Sequence, residues 1–368
     1  MDLASDPVLE RIAGTVRDGL SAAAAGPDGS ATLAALADLD GFAFAASMEL
    51  GGFDLGLSCG VTIAVELGRR ALPDVYTGGM LVADALPEAG DEAPGADVAA
   101  AVVAGKQVVV AAGLDRATAG DAAPAEPSPG GWRLPEVLTV DDVHPDAAVC
   151  AAFRAGDGEV LLAVLPATLW RPLARPAFPW SGHAPSPAAV APGEIASGQV
   201  IGSLGAGRPL TDPAGLLARH RVRQAGYLLG LGLGAHALAV AHAAGRRQFD
   251  RYVLDNQAVA FPLAKAKIDL EAARLLVYRA AWLADAGEPF AREAAEALAW
   301  TAEVTLRTVR TSVQAHGARG LTVAAPVHRF FEVVRAAATR LGPPGALWRE
   351  SALRRLAEDH TAVAERQS

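Results

Sequence analysis

Apolar residues near the start of the chain recur at three- and four-residue steps. Val8, Leu9, Ile12, Val16 and Leu20 share one helical face, and the largely apolar run Gly60 to Leu67 continues into Gly68, Arg69 and Arg70. This pattern predicts an α-helical domain over residues 1–95. Between 96 and 208 the period changes to short β-branched runs, Val108 to Val110, Val137 to Val140 and Val160 to Val164, separated by Gly, Pro and Asp. A small β domain follows, with residues 117–131 read as a loose loop. From 209 to 368 long helical periods return, over about 213–245, 256–287, 289–316, 326–340 and 346–366. Breaks at Gly287-Glu288-Pro289, His316-Gly317 and Gly342-Pro343-Pro344-Gly345 separate them, which predicts a bundle of antiparallel helices. The fold class is α+β, mainly α.

The segment Tyr227 to Gly245 lacks a formal charge over a length that suits a membrane span. It contains His236, His242 and several glycines and stands alone, so it reads as a buried bundle helix, and no membrane association is expected. Within it, Gly230, Gly232 and Ala235 match a dinucleotide fingerprint, yet no strand precedes them, and the match reads as a decoy. The small residues Gly226, Gly230, Gly232 and Gly234 hint at room for a bulky group beside this helix.

Composition narrows the function. The chain has 368 residues, enough for two or three domains, and 32 Lys+Arg against 41 Asp+Glu give a net charge of −9. No block of like charge stands out, which argues against nucleic acid or an anionic membrane surface and for small molecules or proteins as partners. Hydrophobic residues make up 51% but aromatics only 5%, so helices packed through small side chains are expected. Cys59 and Cys150 are too few for a disulfide framework or a Cys-based zinc site, and no metal is expected. The first residues show no basic and then apolar leader pattern, so the cytoplasm is the expected compartment.

Four patches in one order carry a resemblance. Arg246-Arg247-Gln248-Phe249-Asp250 is followed by Asn256-Gln257-Ala258-Val259; then come Glu271 to Leu276, Ala280 to Gly287, and Gln314-Ala315-His316-Gly317-Ala318-Arg319-Gly320-Leu321-Thr322. The sequence resembles the acyl-CoA dehydrogenase family in its R-x-Q-F-G run, its Gln-x-Val helix start and its Q-x-H-G-G-x-G-F-T turn, most strongly over 212–345. The resemblance implies an acyl-CoA dehydrogenase-like fold: an N-terminal α domain, a middle small β-barrel domain and a C-terminal four-helix bundle. It also implies FAD as cofactor and α,β-dehydrogenation of an acyl thioester, held on CoA or on a carrier protein. In this family the bundle of one subunit reaches the flavin of its neighbour. By position Arg246, Gln248, Phe249, Gln257, Gln314 and Gly317 inherit the cofactor contacts, the arginine at the pyrophosphate and the glycine turn near the adenosine end. A guanidinium fork suits paired phosphate oxygens, and a glycine turn lets backbone N–H groups approach the same anion. Asp250 and Ala318 stand where the family has glycine.

The family's catalytic carboxylate has no counterpart here. Counting from Gln314 brings its usual position to about Leu341, and counting back from Arg246 brings the alternative position to about His220; neither neighbourhood has a Glu or Asp. The family's flavin-ring loop in the β domain is also unmatched at Ala111 to Arg116, leaving Thr118, Asp121 or Trp132 as substitutes. Three readings stay open. The chain is a base-less subunit in a heterotetramer with a full acyl-CoA dehydrogenase subunit; or it is a self-sufficient homodimeric or tetrameric flavoenzyme, with His220 or Glu332 as base, acting on a carrier-bound or specialised-metabolite thioester. The third reading is a flavin-free binding or scaffold protein of the same fold. An electron-transfer partner belongs to the first two.

Overall fold

The computed structural model describes residues 6–22, 29–86, 96–122, 124–129, 131–134, 137–140, 146–156, 158–172, 187–190, 194–196, 200–201 and 212–367. The N-terminal part contains helices α1 (Pro7–Gly19), α2 (Ser30–Asp38), α3 (Gly56–Arg69), α4 (Thr77–Ala85) and α5 (Ala96–Val103). The middle part contains strand β1 (Val109–Ala112), helix α6 (Leu114–Ala119), and strands β2 (Glu126–Ser128), β3 (Gly131–Arg133), β4 (Val137–Thr139), β5 (Ala148–Arg154) and β6 (Val160–Leu165). Strands β7 (Trp170–Pro172), β8 (Pro187–Val190), β9 (Glu194–Ala196) and β10 (Val200–Ile201) follow. The C-terminal part contains α7 (Pro213–Gly245), the hairpin β11 (Arg247–Gln248) and β12 (Arg251–Tyr252), then α8 (Gln257–Asp285), α9 (Ala291–Ala315), α10 (Val327–Ala337) and α11 (Pro344–Gln367). The five helices expected from periodicity are all present, within a few residues of the expected ends.

Short-range chemistry sets several helix starts. Asp6 and Asp212 accept backbone N–H bonds from Val8 and Gly215, both at 2.8 Å, and Pro7 and Pro213 occupy the first helical position. Asp74 caps α4, accepting from Thr77 N at 3.1 Å and Thr77 Oγ1 at 2.6 Å. The start of α3 is capped from another part of the chain: the Asp285 carboxylate, at the end of α8, accepts from Leu57 N and Ser58 N. That cap binds the N-terminal helices to the bundle.

In the middle part β1 pairs parallel with β5, and β5 pairs antiparallel with β6, in a sheet of order β1-β5-β6-β10. Every residue of β1 and β6 is buried, as expected of strands covered on both faces. Two further three-stranded sheets, β2-β3-β9 and β4-β8-β7, lie beside it. The segment read as a loose loop holds instead the end of α6 and the strand β2, and Gly113 and Gly120 flank α6 with φ of 73° and 88°. Cys59 and Cys150 are free and buried, and burial pushes both thiols up to about 12, which leaves them protonated and inert.

The glycines of α7 make close backbone contacts, as suits a buried bundle helix. A Cβ on Gly230 would lie 2.1 Å from Val65 O, and one on Gly234 2.2 Å from Arg69 O; across the contact, a Cβ on Gly68 would lie 2.1 Å from Tyr227 O. Here α3 and α7 touch backbone to backbone, so the small residues hold two helices together and leave no room for a bulky ligand. The fingerprint-like glycines therefore sit in mid-helix, facing another helix. Although α7 is long and apolar enough to cross a membrane, it packs within the fold against α3, α8 and α9.

Candidate functional site

Two regions concern function: the open end of the bundle and a buried spot halfway along α7. At the open end, the last turn of α7, the β11–β12 hairpin, the start of α8 and the end of α9 meet. All six residues expected at a cofactor are brought to this end. Arg246 is the C-cap of α7 and is exposed, with no ion-pair partner among the described residues. Gln248 lies in β11, Gln257 opens α8, Gln314 is on the last turn of α9, and Gly317 starts the 3₁₀ turn Gly317–Leu321; all four are exposed. Gly317 has φ of 63°, and a Cβ there would meet nothing within 4 Å, so its backbone faces open space.

The hairpin between these elements is strained. Phe249 and Asp250 have φ of 51° and 63°, the two consecutive left-handed residues of a type I′ turn, which favours Asn and Gly. Asp is tolerated there, which explains how it replaces the family's glycine; an aromatic residue is not favoured. Phe249 nevertheless stands at the tip with its side chain 92% exposed. Arg247 is occupied locally: its Nη2 donates to Asp250 O at 2.8 Å and its guanidinium lies 5.0 Å from the Tyr252 ring centroid. Of the paired arginines, only Arg246 is left to meet a ligand.

These donors fit one end of a dinucleotide. An unpaired guanidinium, three amide side chains and an open glycine backbone suit a diphosphate, whereas two of the substitutes expected in the β domain, Trp132 and Thr118, have other employment. Trp132 is buried against Phe153 with ring centroids 5.9 Å apart, and Thr118 Oγ1 donates to Leu114 O at 2.8 Å. Asp121 is exposed, and Arg116 binds its carbonyl at 3.2 Å.

The second region is where the missing base was sought. The two positions found by counting, His220 and Leu341, converge: Arg221 Nε, beside His220, donates to Leu341 O at 3.2 Å, and Gln224 Nε2 donates to Ala337 O at 2.8 Å. They belong to one site, and that site is closed. His220 is fully buried in place of the solvated helix position that its arginine neighbours suggest. Desolvation first, then the nearby Arg223 charge, pull its imidazole down to about 3, so the ring is neutral at ordinary pH and a feeble base. Its Nδ1 has no hydrogen-bond partner among the described residues.

The carboxylates nearby are already claimed. Arg223, with 1% of its side chain exposed, grips Asp84 of α4 through both terminal nitrogens, with Nη2 to Oδ1 at 3.1 Å. Arg340 Nη1 lies 3.6 Å from the α4 cap Asp74, and Arg221 Nη1 holds both oxygens of Glu350 in α11 at 2.8 and 2.9 Å. Sequence spacing gives no sign of these pairs, because each joins residues more than a hundred positions apart. Glu332, the other candidate base, has its carboxylate 3.5 Å from His328 Nε2 and within the charge field of Arg329.

Comparison with known proteins follows the same division. The model of the acyl-CoA dehydrogenase C-terminal domain matches residues 211–357. The short/branched chain specific acyl-CoA dehydrogenase of Rattus norvegicus mitochondria is 35% identical over 132 residues, which is 36% of this chain and only 30% of that relative's length. Among solved structures, the ChsE4–ChsE5 complex of Mycobacterium tuberculosis superposes with a TM-score of 0.80 at 24% identity, covering 97% of this chain and 99% of the other. PigA with FAD and proline superposes with a TM-score of 0.79 at 17% identity, covering 97% and 99%. Residues 211–357 are thus similar in sequence to the C-terminal domain of acyl-CoA dehydrogenases, and nearly the whole chain shares the fold of these solved structures.

Proposed function

We propose that this chain is the base-less half of a cytoplasmic, flavin-dependent acyl thioester dehydrogenase: it supplies bundle-end contacts to FAD and leaves α-proton abstraction to a partner chain. The observation that carries this reading is the convergence of both expected base positions on one sealed, cation-rich spot, where His220 is neutral and Asp84 and Asp74 are each held by an arginine. A carboxylate that abstracts a proton needs a lone pair aimed at the substrate, and these are committed to guanidinium groups.

The open end supports the other half of the assignment. Bound there, FAD would supply the acceptor for the hydride that leaves the acyl β-carbon. Arg246 offers a guanidinium fork to the diphosphate, Gly317 offers backbone approach, and Gln248, Gln257 and Gln314 offer amide donors. Phe249 is held exposed in a strained turn, an arrangement expected of a residue that seats in another chain. Along α8 the exposed Phe261, Ile268, Leu275 and Trp282 recur every seven residues, a row suited to packing against a neighbouring helix. The complex that names two chains, ChsE4 and ChsE5, is a precedent for paired subunits on this fold. The acyl thioester, on CoA or a carrier protein, and an electron acceptor belong to the assembled enzyme.

The test is FAD retention in the complex purified from native cells. Arg246→Ala removes one charge-assisted contact, each worth about 1.5–3 kcal/mol, so FAD affinity should fall roughly 10- to 150-fold. Unchanged FAD affinity in a folded variant would refute the contact, and a colourless wild-type complex would favour a flavin-free scaffold.

A further inference from the structure

The ends of α7 and α9 are joined by two imidazoles. His242, in the last turn of α7, stacks on His316, the C-cap of α9, with ring centroids 4.3 Å apart and planes 21° from parallel. His316 Nδ1 lies 2.7 Å from Ser312 O. A ring nitrogen facing a carbonyl must carry a hydrogen, so Nδ1 donates and Nε2 is the atom that gains or loses a proton. Arg246 follows His242 by one turn, and Gln314 and Gly317 flank His316, so the stacked pair lies among the residues assigned above to the diphosphate.

The charges around the pair are balanced without a ligand. Both rings sit at helix C-termini, whose dipoles favour an imidazolium. Against this, partial burial, the partner ring, Arg319 of the 3₁₀ turn and Arg246 pull His242 below its ordinary value. The hairpin and a second 3₁₀ turn, Val253–Asp255, packed on the end of α7 add Arg247, Arg251, Asp250 and Asp255; Asp255 is spent on Tyr252 N at 2.9 Å and Arg247 on Asp250 O. The charged groups that act most on His242 are cations, Arg319 and Arg246. The neighbouring cations thus oppose a positive charge on His242. An arriving dianion reverses that field at both rings.

We propose that the stacked His242 and His316 are the proton-uptake element of an anion subsite: a diphosphate ligand docks at this end together with one proton, shared by the two rings. The proposal rests on the reading that this end meets the diphosphate of a dinucleotide. It predicts that affinity rises as pH falls, because the liganded protein binds more protons than the free one.

ADP-ribose is a suitable probe, since its diphosphate diester has no proton that titrates near neutrality. Calorimetric titration of the full chain in buffers of different ionisation enthalpy gives the proton count directly. The expected result is uptake of roughly half to one proton near pH 7, with affinity rising by up to about tenfold per pH unit from pH 8 to pH 6. In His242→Gln and His316→Gln uptake should vanish while ADP-ribose still binds at pH 8. Binding that is independent of pH and of buffer in the wild type, yet lost in Arg246→Ala, would overturn the proton coupling and leave the diphosphate reading intact. Absence of ADP-ribose binding to the chain and to its native complex at every pH would overturn both.

Discussion

Asp84→Ala examines the sealed spot most sharply. Arg223 is almost wholly buried, and both of its terminal nitrogens rest on Asp84, so the substitution strands a guanidinium away from water. Its Nε has no hydrogen-bond partner among the described residues, and a Cβ on Gly60 would lie 3.2 Å from both Nε and Tyr76 Oη, which leaves little space for a compensating group. Breaking a buried pair from one side costs about 3–5 kcal/mol. At about 2–4 °C per kcal/mol for a chain with domains of this size, Tm should fall by roughly 6–20 °C. The double variant Asp84→Leu with Arg223→Met replaces both charges by apolar groups and should recover stability to within about 1 kcal/mol of the wild type. Thermal and urea unfolding followed by circular dichroism give both numbers. A loss below about 1 kcal/mol in Asp84→Ala, or a double variant worse than either single one, would mean that water reaches Arg223 and that the site is open.

Other expectations concern single positions. Gly230→Ala forces α3 and α7 apart, since its Cβ would lie 2.1 Å from Val65 O, and should cost at least about 3 kcal/mol in unfolding experiments; Gly14→Ala in α1, where a Cβ meets nothing within 4 Å, should stabilise by up to about 1 kcal/mol. Asp250→Gly relieves a left-handed Asp with φ of 63° and removes a carboxylate from the proposed diphosphate end, so it should raise both thermal stability and nucleotide affinity in the same preparation. The folded His220 titrates near 3, below its unfolded value of about 6.5, so the unfolded chain binds the extra proton between these limits. Stability should therefore fall as pH drops below about 6.5, by up to about 1.4 kcal/mol per unit, and His220→Gln should flatten that slope in urea midpoints measured from pH 7 to pH 4.5. The same variant should leave turnover of the complex within about twofold; a loss of a hundredfold or more would make His220 a base after all.

Much of this molecule is legible in the sequence because its helices are long and punctuated by strong breakers. The periods over 213–245 and 289–316 reappear as α7 and α9, and the two segments picked out by the position count meet in space where Arg221, next to His220, bonds Leu341 O. What stayed hidden depends on contacts between distant segments. Gly230 in a helix looks alike whether it faces a ligand or another backbone, and only the position of α3 decides. Asp84 and Arg223 are 139 residues apart, so no local spacing pairs them. Likewise His242 and His316 sit in unrelated motifs until α7 and α9 end side by side. In the middle part, short strands with weak alternation and an Ala-rich loop gave no warning of α6, whose ends are set by two left-handed glycines.

The division of labour is tested most directly by anaerobic titration with short-, medium- and long-chain acyl-CoA thioesters, comparing the FAD-loaded isolated chain with its native complex by visible absorbance. Bleaching of the flavin in the complex alone is the predicted result. Bleaching of the isolated chain at a comparable rate would show that it holds a working base of its own and would contradict the account.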